Sequence, residues 1–499
     1  MQADEVARVV AEVLKSLQSR GELGDILAPA PAASLAVPAQ AGIQRLDPGL
    51  RRGDGQDEVV FPDVLSAVKA AARAQKAFQP MGVEARRKII RAIREAAVAN
   101  AESLAVMAAE ETGMGRAADK TQKNLVCALR TPGVEDLQSR AYTGDKGLTL
   151  VEYAPYGVVA AVTPSTNPAA TVINNSISIL SAGNAVVFAP HPAAANCSME
   201  AMRILSRAAV SAGAPPSLIT TVSPATQETT KALLAHPGVR VNMVTGGPAI
   251  VKIAMTVGKT CKTIAAGPGN PPAVIDETAL FPKCAQDVIF GASFDNNVLC
   301  TAEKEVIVTQ DARERFLNAM RQDARACELS PAQTDALVKV IIKEGGRGCK
   351  DPKLNRDYVG KNAAFIAKAI GLNLPDSVRL LWSEVPNDHP LVWTEQLMPV
   401  LPVTVAPDVD SAIELAYEAE GENHHTASMH SMNVDHLTRM GRRMQCSIYV
   451  KNAPNLYGLG LGEGYASMSI GTPTGDGLTK ASHFARPLQC SLVGYFRIT

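Results

Sequence analysis

The stretch GVVAAVTPSTNPAATVINNSISILSAGNAVVFAP, residues 157–190, decides the fold of the chain. Its two ends are short apolar runs rich in valine, 157–164 and 184–190, which are typical of strands. Residues 168–182 between them have a helical pattern, and Pro168 is a favoured first residue of a helix. The stretch therefore predicts a strand, a helix and a second strand.

The same alternation continues along the chain. The further strand-like runs are 218–223, 239–244 and 271–276, and the helical stretches between runs are 196–212, 226–235 and 248–257. Strands that alternate with helices predict a parallel, doubly wound α/β sheet. A helical region precedes this part at 64–109, and Gly113 is its expected C-terminal cap.

A second alternating region begins after residue 300 and runs to about residue 440. Its expected strands are 305–309, 400–406 and 447–450. The segment FARPLQCSLVGYFRIT (484–499) has the pattern of a strand. Together with LTLVEYAP (148–155) it is expected to form an arm that reaches another subunit.

The composition favours an α/β enzyme of two or three domains. The chain has 499 residues, an apolar fraction of 46 % and equal numbers, 49 each, of basic and acidic residues. No basic field therefore argues for nucleic acid or an anionic membrane, and no run of eighteen apolar residues predicts a membrane span. Asp4 and Glu5 precede any apolar stretch, so no signal peptide is expected. The nine scattered cysteines form no C-x-x-C pair, which indicates a reducing cytoplasm.

The first twenty residues differ from the rest of the chain. In MQADEVARVVAEVLKSLQSR, apolar residues recur with the spacing of one helical stripe: Val6, Val9, Val10, Val13, Leu14 and Leu17. Residues 21–57 are rich in Pro, Gly and Ala without periodicity and predict a flexible linker. A short amphipathic helix on such a linker is expected to dock on another protein, and the alternative is that it folds back onto the body.

Two turns at strand ends are candidate ligand sites. In VNMVTGGPAIVK (241–252), a strand ends in Thr245-Gly246-Gly247 and a helix begins at Pro248. The free amides of a helix N-terminus attract phosphate, although Gly-Gly turns also serve packing alone. In TPSTNPAAT (163–171), Asn167 follows a strand end, where its amide could stabilise an oxyanion or simply cap the helix.

Cys300 is the candidate nucleophile. In FDNNVLCTAEKEV (294–306) it lies between amide-rich residues and a strand-like run, where a cysteine is either core filler or reactive. His424, His425 and His430 crowd another stretch, but nothing else supplies a metal-ligand pattern, so no metal site is predicted.

These motifs together resemble the aldehyde dehydrogenase superfamily over roughly residues 60–499. Their order is Asn167, the turn 245–247, AAGPGNP (265–271), Cys300 and TEQLMPVLPV (394–403). Five further segments are similar to the coenzyme A-acylating branch: TNPAATVINNSIS, FAPHP, AAGPGNPPAVID, FDNNVLCTAEKEVIV and HHTASMHSMN. The whole chain, including its N-terminal helix, is similar to the propionaldehyde and acetaldehyde dehydrogenases of bacterial microcompartments.

The resemblance implies a division of the chain and a reaction. The implied parts are a targeting helix (1–20), a linker (21–57), a dinucleotide-binding domain (58–147 and 157–293), a catalytic domain (294–465) and an oligomerisation arm (148–156 and 483–499). Cys300 would attack the aldehyde, and the oxyanion would be held by the Asn167 amide and the Cys300 backbone N–H. Ala265 stands where hydrolytic members carry the glutamate that activates water, so coenzyme A is the expected acyl acceptor.

The resemblance also implies a set of binding residues. The cofactor-binding candidates are Thr163, Pro164, Ser165, Pro190, His191, Thr245, Gly246, Gly247 and Glu395. The candidates for lining the substrate and coenzyme A pocket are Ala265, Gly267 and His425. NAD is the expected cofactor, and NADP stays open because Ala189-Pro190-His191-Pro192 lacks the lysine and glutamate of hydrolytic relatives.

The expected function is oxidation of a short-chain aldehyde with NAD and coenzyme A to acyl-CoA and NADH, with propanal preferred over acetaldehyde. The alternatives are a hydrolytic dehydrogenase that gives free acid and an inactive shell-binding protein. The expected assembly is an even-numbered homo-oligomer, a dimer or tetramer. Residues 1–20 are expected to dock on a shell or cargo protein and to draw the enzyme into the lumen of a bacterial microcompartment in the cytoplasm.

Overall fold

The computed structural model describes residues 59–257, 261–349 and 351–496. The expected helix at 1–20 and the linker at 21–57 lie outside the described residues. No helix in the described part of the chain is long and apolar enough to cross a membrane.

Helices and strands alternate through most of the described chain. The helices are α1 (Val64–Phe78), α2 (Gly82–Ala99), α3 (Ala101–Thr112), α4 (Ala117–Arg130), α5 (Pro168–Ser181), α6 (Ala195–Ser211), α7 (Gln227–Ala235), α8 (Pro248–Met255), α9 (Lys283–Ser293), α10 (Arg313–Gln322), α11 (Pro331–Ile341), α12 (Ala363–Lys368), α13 (Val409–Glu420) and α14 (Val434–Met444). The strands are β1 (Val60–Phe61), β2 (Arg140–Gly144), β3 (Gly147–Pro155), β4 (Val158–Thr163), β5 (Ala185–Pro190), β6 (Ile219–Val222), β7 (Val239–Thr245), β8 (Lys262–Ala266), β9 (Pro272–Ile275), β10 (Glu305–Thr309), β11 (Ala326–Glu328), β12 (Ile342–Glu344), β13 (Lys353–Leu354), β14 (Leu380–Glu384), β15 (Val400–Ala406), β16 (Thr426–His430), β17 (Ile448–Lys451), β18 (Ile470–Gly471), β19 (Gly477–Leu478) and β20 (Ala485–Val493).

The first sheet has the strand order β1-β6-β5-β4-β7-β8 and is parallel throughout. Strand β4 comes first in the alternating part and lies in the middle, with β5 on one side and β7 on the other. The chain therefore winds outward in both directions from β4, and a crevice opens at the carboxyl ends of β4, β5 and β7. The predicted doubly wound α/β fold is confirmed.

The helical region at 64–109 consists of the three helices α1 to α3. Asp63 caps the first of them by accepting a hydrogen bond from Ser66 N at 2.8 Å. Gly113 ends the third in the left-handed conformation, with φ of +64°. The expected cap at Gly113 is confirmed.

The second sheet has the order β11-β14-β15-β10-β9-β16-β17 and is also parallel. It includes β9, whose residue Pro272 pairs with Glu305 of β10. Helix α9 packs on this sheet through Ala285, Val288 and Ile289. The expected boundary at residue 293 is therefore wrong, and the second unit begins before Pro272. Alternation predicts that a strand exists but not which sheet it joins, and this strand is the first of the second sheet.

A third, antiparallel sheet consists of β2, β3 and β20. Strand β20 pairs with β3 along its whole length, from Ala485 opposite Pro155 to Val493 opposite Gly147. The expected pairing of the two arm segments is confirmed, and β2 is an additional strand. Leu488 is 50 % exposed and Val493 73 % exposed, so the arm presents apolar side chains to its surroundings.

Candidate active site

Cys300 follows a turn with an unusual backbone. Asp295, Asn296 and Asn297 all have left-handed conformations, with φ of +47°, +53° and +62°. Asp and Asn tolerate this region better than other side-chain-bearing residues, which explains the amide-rich sequence before the cysteine. Residues 295–299 are buried, whereas Cys300 is partly exposed. The turn thus carries the thiol from the end of α9 to an accessible position before β10.

One buried lysine holds the turn from within. Lys304 is fully buried, and its ammonium group donates to Asn297 O at 2.8 Å, to Leu299 O at 2.9 Å and to Asn297 Oδ1. The Asn297 amide in turn donates to Ala292 O at 2.8 Å and to Glu303 O at 2.9 Å. These carbonyl groups are buried and have no access to water. Each hydrogen bond therefore replaces the bond to water that the carbonyl group loses when the turn is buried.

A second polar cluster holds the turn from the side of α4. Asp295 accepts hydrogen bonds from Arg116 N at 2.7 Å, from Lys120 Nζ at 3.1 Å and from Lys123 Nζ. Gly115 has φ of +74°, and a side chain there would overlap Asp295 Oδ1. The Asp295 carboxylate and both lysine side chains are at most 4 % exposed, so this is a buried ion-pair network.

Asn167 lies at the start of α5, directly after the carboxyl end of β4. Its side chain makes no capping hydrogen bond to the helix. Instead, its amide oxygen accepts from Lys123 Nζ, and its amide nitrogen donates to Thr166 Oγ1 at 3.2 Å. The Asn167 side chain therefore does not cap helix α5, which was the alternative role expected for it.

The electrostatic surroundings of Cys300 have two opposing parts. Burial and the nearby Glu395 carboxylate raise the pKa of the Cys300 thiol to about 12, while Lys304 and Lys123 act to lower it. Burial also raises the pKa of Glu395 to about 7, and its carboxylate lies 4.0 Å from Lys304 Nζ. The predicted residues Cys300 and Glu395 therefore lie in one electrostatic environment, with Lys304 between them.

The segment that contains Ala265 and Gly267 passes beside the nucleophile. A methyl group on Gly269 would lie 2.9 Å from Cys300 O and 2.9 Å from the His425 ring. Ala265 itself is fully buried on β8 and brings no acidic group to this place. The chain approaches Cys300 this closely because position 269 has no side chain.

His425 is fully buried next to this glycine. Its Nδ1 pairs with Thr426 Oγ1 at 2.9 Å, and its Nε2 has no hydrogen-bond partner among the described residues. Burial lowers the pKa of His425 to about 4, helped by the nearby Lys304 cation, so the ring is neutral near pH 7. The other two clustered histidines face other residues. His424 Nδ1 pairs with Met444 O, and His430 Nδ1 lies near the Asp287 carboxylate.

Most of the cofactor-binding candidates come together at the carboxyl edge of the first sheet. Strand β4 ends at Thr163 and is followed by Pro164 and Ser165, β5 ends at Pro190 and is followed by His191, and β7 ends at Thr245 and is followed by Gly246 and Gly247. His191 N donates to Thr163 O at 3.1 Å, which joins the first two ends directly. Glu395 lies apart from this edge, beside Lys304 and Cys300.

This edge fits a dinucleotide. The Thr163 hydroxyl is buried and has no partner among the described residues, so it can bond to a bound group. Gly247 caps α8 without a side-chain hydrogen bond, which leaves backbone N–H groups for a phosphate. The edge is also the switch point of the sheet, where open α/β folds bind nucleotides.

A small apolar recess with space for about 10 Å³ lies next to Leu299, the residue that precedes Cys300. Its lining residues are Gln122, Lys123, Val126, Phe294, Leu299, Leu456, Leu459, Leu461 and Met468. Most of these lining side chains are aliphatic, and Lys123 is the one basic residue among them. Space of this size is about what one water molecule needs.

The sequence model of the aldehyde dehydrogenase family matches residues 60–345. The chain belongs to the aldehyde dehydrogenase family. It is 49 % identical to the acetaldehyde dehydrogenase (acetylating) EutE of Salmonella typhimurium over 443 residues, which covers 88 % of this chain and 93 % of the relative. The resemblance to the coenzyme A-acylating branch is confirmed by this relative.

Two solved structures of this aldehyde dehydrogenase branch superpose closely. The propionaldehyde dehydrogenase of Rhodopseudomonas palustris, with bound CoA and an acylated cysteine, has a TM-score of 0.84 and 42 % identity, and covers 87 % of this chain and 98 % of its own. The enzyme from the fucose utilisation microcompartment of Clostridium phytofermentans has a TM-score of 0.84 and 39 % identity, and covers 88 % and 99 %. The predicted aldehyde dehydrogenase-like fold is confirmed.

The sequence interpretation missed the lysines of this aldehyde dehydrogenase. Lys120, Lys123 and Lys304 are buried beside the site, although none was a candidate. A signal exists for the first two: they are three residues apart on α4, on the same face as the buried Asn124 and Cys127. Lysines on the buried face of a helix require a buried partner, which here is Asp295.

Proposed function

We propose that this aldehyde dehydrogenase oxidises a short-chain aldehyde with NAD and coenzyme A, giving acyl-CoA and NADH. The observation that carries the proposal is the partly exposed Cys300 after a turn held by Lys304, next to a segment that has Ala265 in place of a carboxylate. The close similarity to an acetylating relative and to a propionaldehyde dehydrogenase with bound CoA supports it.

The first half-reaction uses Cys300 and Asn167. The thiol gives its proton to water and its sulfur adds to the aldehyde carbon, so the carbonyl electron pair moves onto oxygen. The Asn167 amide N–H and the Cys300 backbone N–H donate to this oxyanion. When bound, the nicotinamide accepts the hydride that leaves the same carbon. The oxyanion pair then re-forms the carbonyl, and a thioester is left on Cys300.

The second half-reaction exchanges one thioester for another. The coenzyme A thiolate adds to the acyl carbon, and the Cys300 thiolate leaves. Ala265 cannot activate water, and the end of β8 that carries it is buried. His425 lines the site with a neutral ring and an unpartnered Nε2 that can bond to an incoming group. Because the thioesters are nearly equal in energy, the reaction runs in both directions.

The cofactor edge supports a dinucleotide through Thr163, Gly246 and Gly247. Glu395, close to Lys304 and Cys300, is positioned for the ribose next to the reacting ring. At the end of β5, Ala189 and Pro192 stand where the resemblance places the lysine and glutamate of hydrolytic relatives, so no acidic side chain of this segment opposes a 2′-phosphate. We expect NAD as the cofactor and a measurable activity with NADP.

A coenzyme A dependence test separates this function from its alternatives. We expect NADH formation from propanal to require coenzyme A, because no base stands at Ala265. The measurement is NADH absorbance with and without coenzyme A, with acetaldehyde as the second substrate. Full NADH formation without coenzyme A, together with free acid, would instead identify a hydrolytic enzyme. No turnover in either condition would leave only the shell-binding alternative.

The similarity to an acetylating acetaldehyde dehydrogenase and to a propionaldehyde dehydrogenase supports acetaldehyde and propanal as substrates. One methylene group changes the binding of a substrate by only about 1–3 kcal/mol in an apolar pocket. Both aldehydes are therefore expected to react, with propanal preferred on the similarity to the propionaldehyde dehydrogenases.

The arm supports a homo-oligomer of even number. Its strand β20, which pairs with β3, presents Leu488, Leu492 and Val493, each at least 43 % exposed. Isologous pairing of such an arm with a second copy would cover these side chains. Sedimentation velocity of the purified enzyme is expected to give a dimer or tetramer, and a monomer at micromolar concentration would contradict this.

Residues 1–20 support a place inside a bacterial microcompartment. Their narrow apolar stripe is expected to dock on a shell or cargo protein, and the similar Clostridium phytofermentans enzyme comes from such a compartment. Enclosure would retain a reactive aldehyde together with a small coenzyme pool.

Deletion of residues 1–20 tests this placement. The truncated enzyme is expected to keep its kinetics in solution but to lose co-purification with shells. As a matched control, the full chain with Val10→Glu and Leu14→Glu keeps its length but carries charge on the stripe, and it should lose co-purification as well. Unfolding of the truncated enzyme would show that the segment belongs to the core.

A further inference from the structure

The ammonium group of Lys123 joins the turn of the nucleophile to Asn167. Lys123 is 4 % exposed, and its Nζ donates to Asp295 Oδ2 and to Asn167 Oδ1 and lies 3.5 Å from Thr166 O. One side chain therefore touches the oxyanion residue and the turn before Cys300, and it lines the same apolar recess as Leu299.

A lysine can only donate hydrogen bonds, and this decides how the Asn167 amide is turned. The amide oxygen must face Lys123, so the amide nitrogen faces the other way. One of its two N–H groups reaches Thr166 Oγ1 at 3.2 Å, and the other has no partner among the described residues. We propose that Lys123 is a positioning residue that holds the Asn167 amide with this free N–H towards the oxyanion formed at Cys300. The inference rests on the proposed function.

The charge of Lys123 adds to this effect. A cation on the amide oxygen polarises the amide, which makes the N–H a stronger donor. Because both side chains are at least nine-tenths buried, the interaction is not screened by water. The amide is also oriented before the substrate arrives, so the site needs no reorganisation when the oxyanion forms.

Lys120 provides a matched control for a purely structural role. It lies one turn earlier on α4, is 3 % exposed and donates to the same Asp295 Oδ2 at 3.1 Å and to Thr166 O at 3.1 Å. Among the described residues its contacts do not include the Asn167 side chain. Removal of either lysine weakens the network of Asp295, but only removal of Lys123 frees the amide.

We expect Lys123→Met to lower kcat by about 10- to 100-fold, less than the full loss of an oxyanion donor. KM for propanal should change little, because the amide interaction is made with the transition state. Lys120→Met should lower thermal stability to a similar extent with a much smaller loss of kcat. The measurements are steady-state kinetics, the pre-steady-state burst of NADH and thermal unfolding. Equal losses of kcat in the two variants would overturn the inference.

A double-mutant cycle tests whether Lys123 acts through Asn167. In an Asn167→Ala background, Lys123→Met should lower kcat by less than about twofold, because the amide is already gone. If the two losses multiply, Lys123 acts independently and the positioning role is wrong. If Lys123→Met does not fold, Lys123→Gln replaces it, since its neutral amide can still donate to both oxygens. That variant should then retain part of the rate.

The pH dependence gives a readout that a structural role would not produce. Burial lowers the pKa of Lys123 to about 8, opposed by Asp295 and Asp119 and supported by Lys120. The cation is present below this pH and is lost above it. The ratio of wild-type to Lys123→Met rates should therefore fall as the pH rises through about 8. Because Lys123 also acts on the pKa of Cys300, the titration of that thiol is followed separately in both proteins by its rate of alkylation. A ratio independent of pH would contradict a charged positioning residue.

The wild-type enzyme is assayed first, and this separates the two proposals. Failure of wild-type NADH formation with propanal and coenzyme A would overturn the proposed function. Normal wild-type turnover with an equally active Lys123→Met variant would overturn only the inference about Lys123.

Discussion

Cys300→Ala is expected to lower the formation of acyl-CoA by about 10⁴-fold or more, as removal of a nucleophile does in other covalent enzymes. The backbone of the turn should persist, because Lys304 holds it through the Asn297 and Leu299 carbonyls and not through the thiol. NAD binding should persist as well, since the candidate dinucleotide residues lie at the ends of β4, β5 and β7. The measurements are NADH formation and the fluorescence of bound NADH.

Cys327→Ala is the matched control for this variant. Cys327 is also a partly exposed free thiol, on the edge strand β11 of the second sheet. Its removal should leave the rate unchanged. Mass spectrometry after mixing with propanal and NAD, without coenzyme A, should show an acyl adduct on Cys300 in the wild-type protein. Turnover in Cys300→Ala at more than a trace would move the chemistry to another residue.

Much of the fold could be predicted from local pattern. The runs at 157–164, 184–190, 218–223 and 239–244 each correspond to a strand of the first sheet within one residue at either end. These strands are buried on both faces, so their valine-rich sequences stand out from the helices between them. Strand β16 was not predicted because its sequence, TASMH, is fully buried yet mixed in polarity.

The sheet to which a strand belongs could not be predicted in the same way. Pro272–Ile275 continues the alternation of the first unit without a break in pattern, but it pairs with β10 and β16 of the second sheet. Pairing depends on contacts across long separations in sequence, whereas alternation is a property of neighbours. The domain boundary was therefore placed too late.

In the candidate site, too, contacts between residues far apart in sequence could not be predicted. Cys300 and Asn167 could be found because each sits at a strand or turn boundary with a recognisable local sequence. The buried network of Lys120, Lys123 and Asp295 joins residues 172 to 175 positions apart. The charged side chains of this network are expensive to bury without one another, so their partners are fixed only by the folded structure.

Asn167→Ala is expected to lower kcat by about 10²- to 10³-fold, the usual cost of one oxyanion donor. The fold should persist, because the side chain makes no capping hydrogen bond to α5 and Lys123 keeps Asp295 as a partner. KM for propanal and the binding of NAD should change little. The measurements are the burst rate of NADH and the midpoint of thermal unfolding.

The variant Asn167→Asp tests the N–H donor of this side chain separately from its size and shape. The carboxylate has nearly the same size and can still accept from Lys123 Nζ, so packing and the buried network are retained. It has no N–H to offer, however, and it places negative charge where the oxyanion forms. The rate should therefore fall at least as far as in Asn167→Ala, although the protein is as stable or more so. A variant that keeps most of its activity would show that the amide N–H does not stabilise the oxyanion, because only the donor and its charge have been changed.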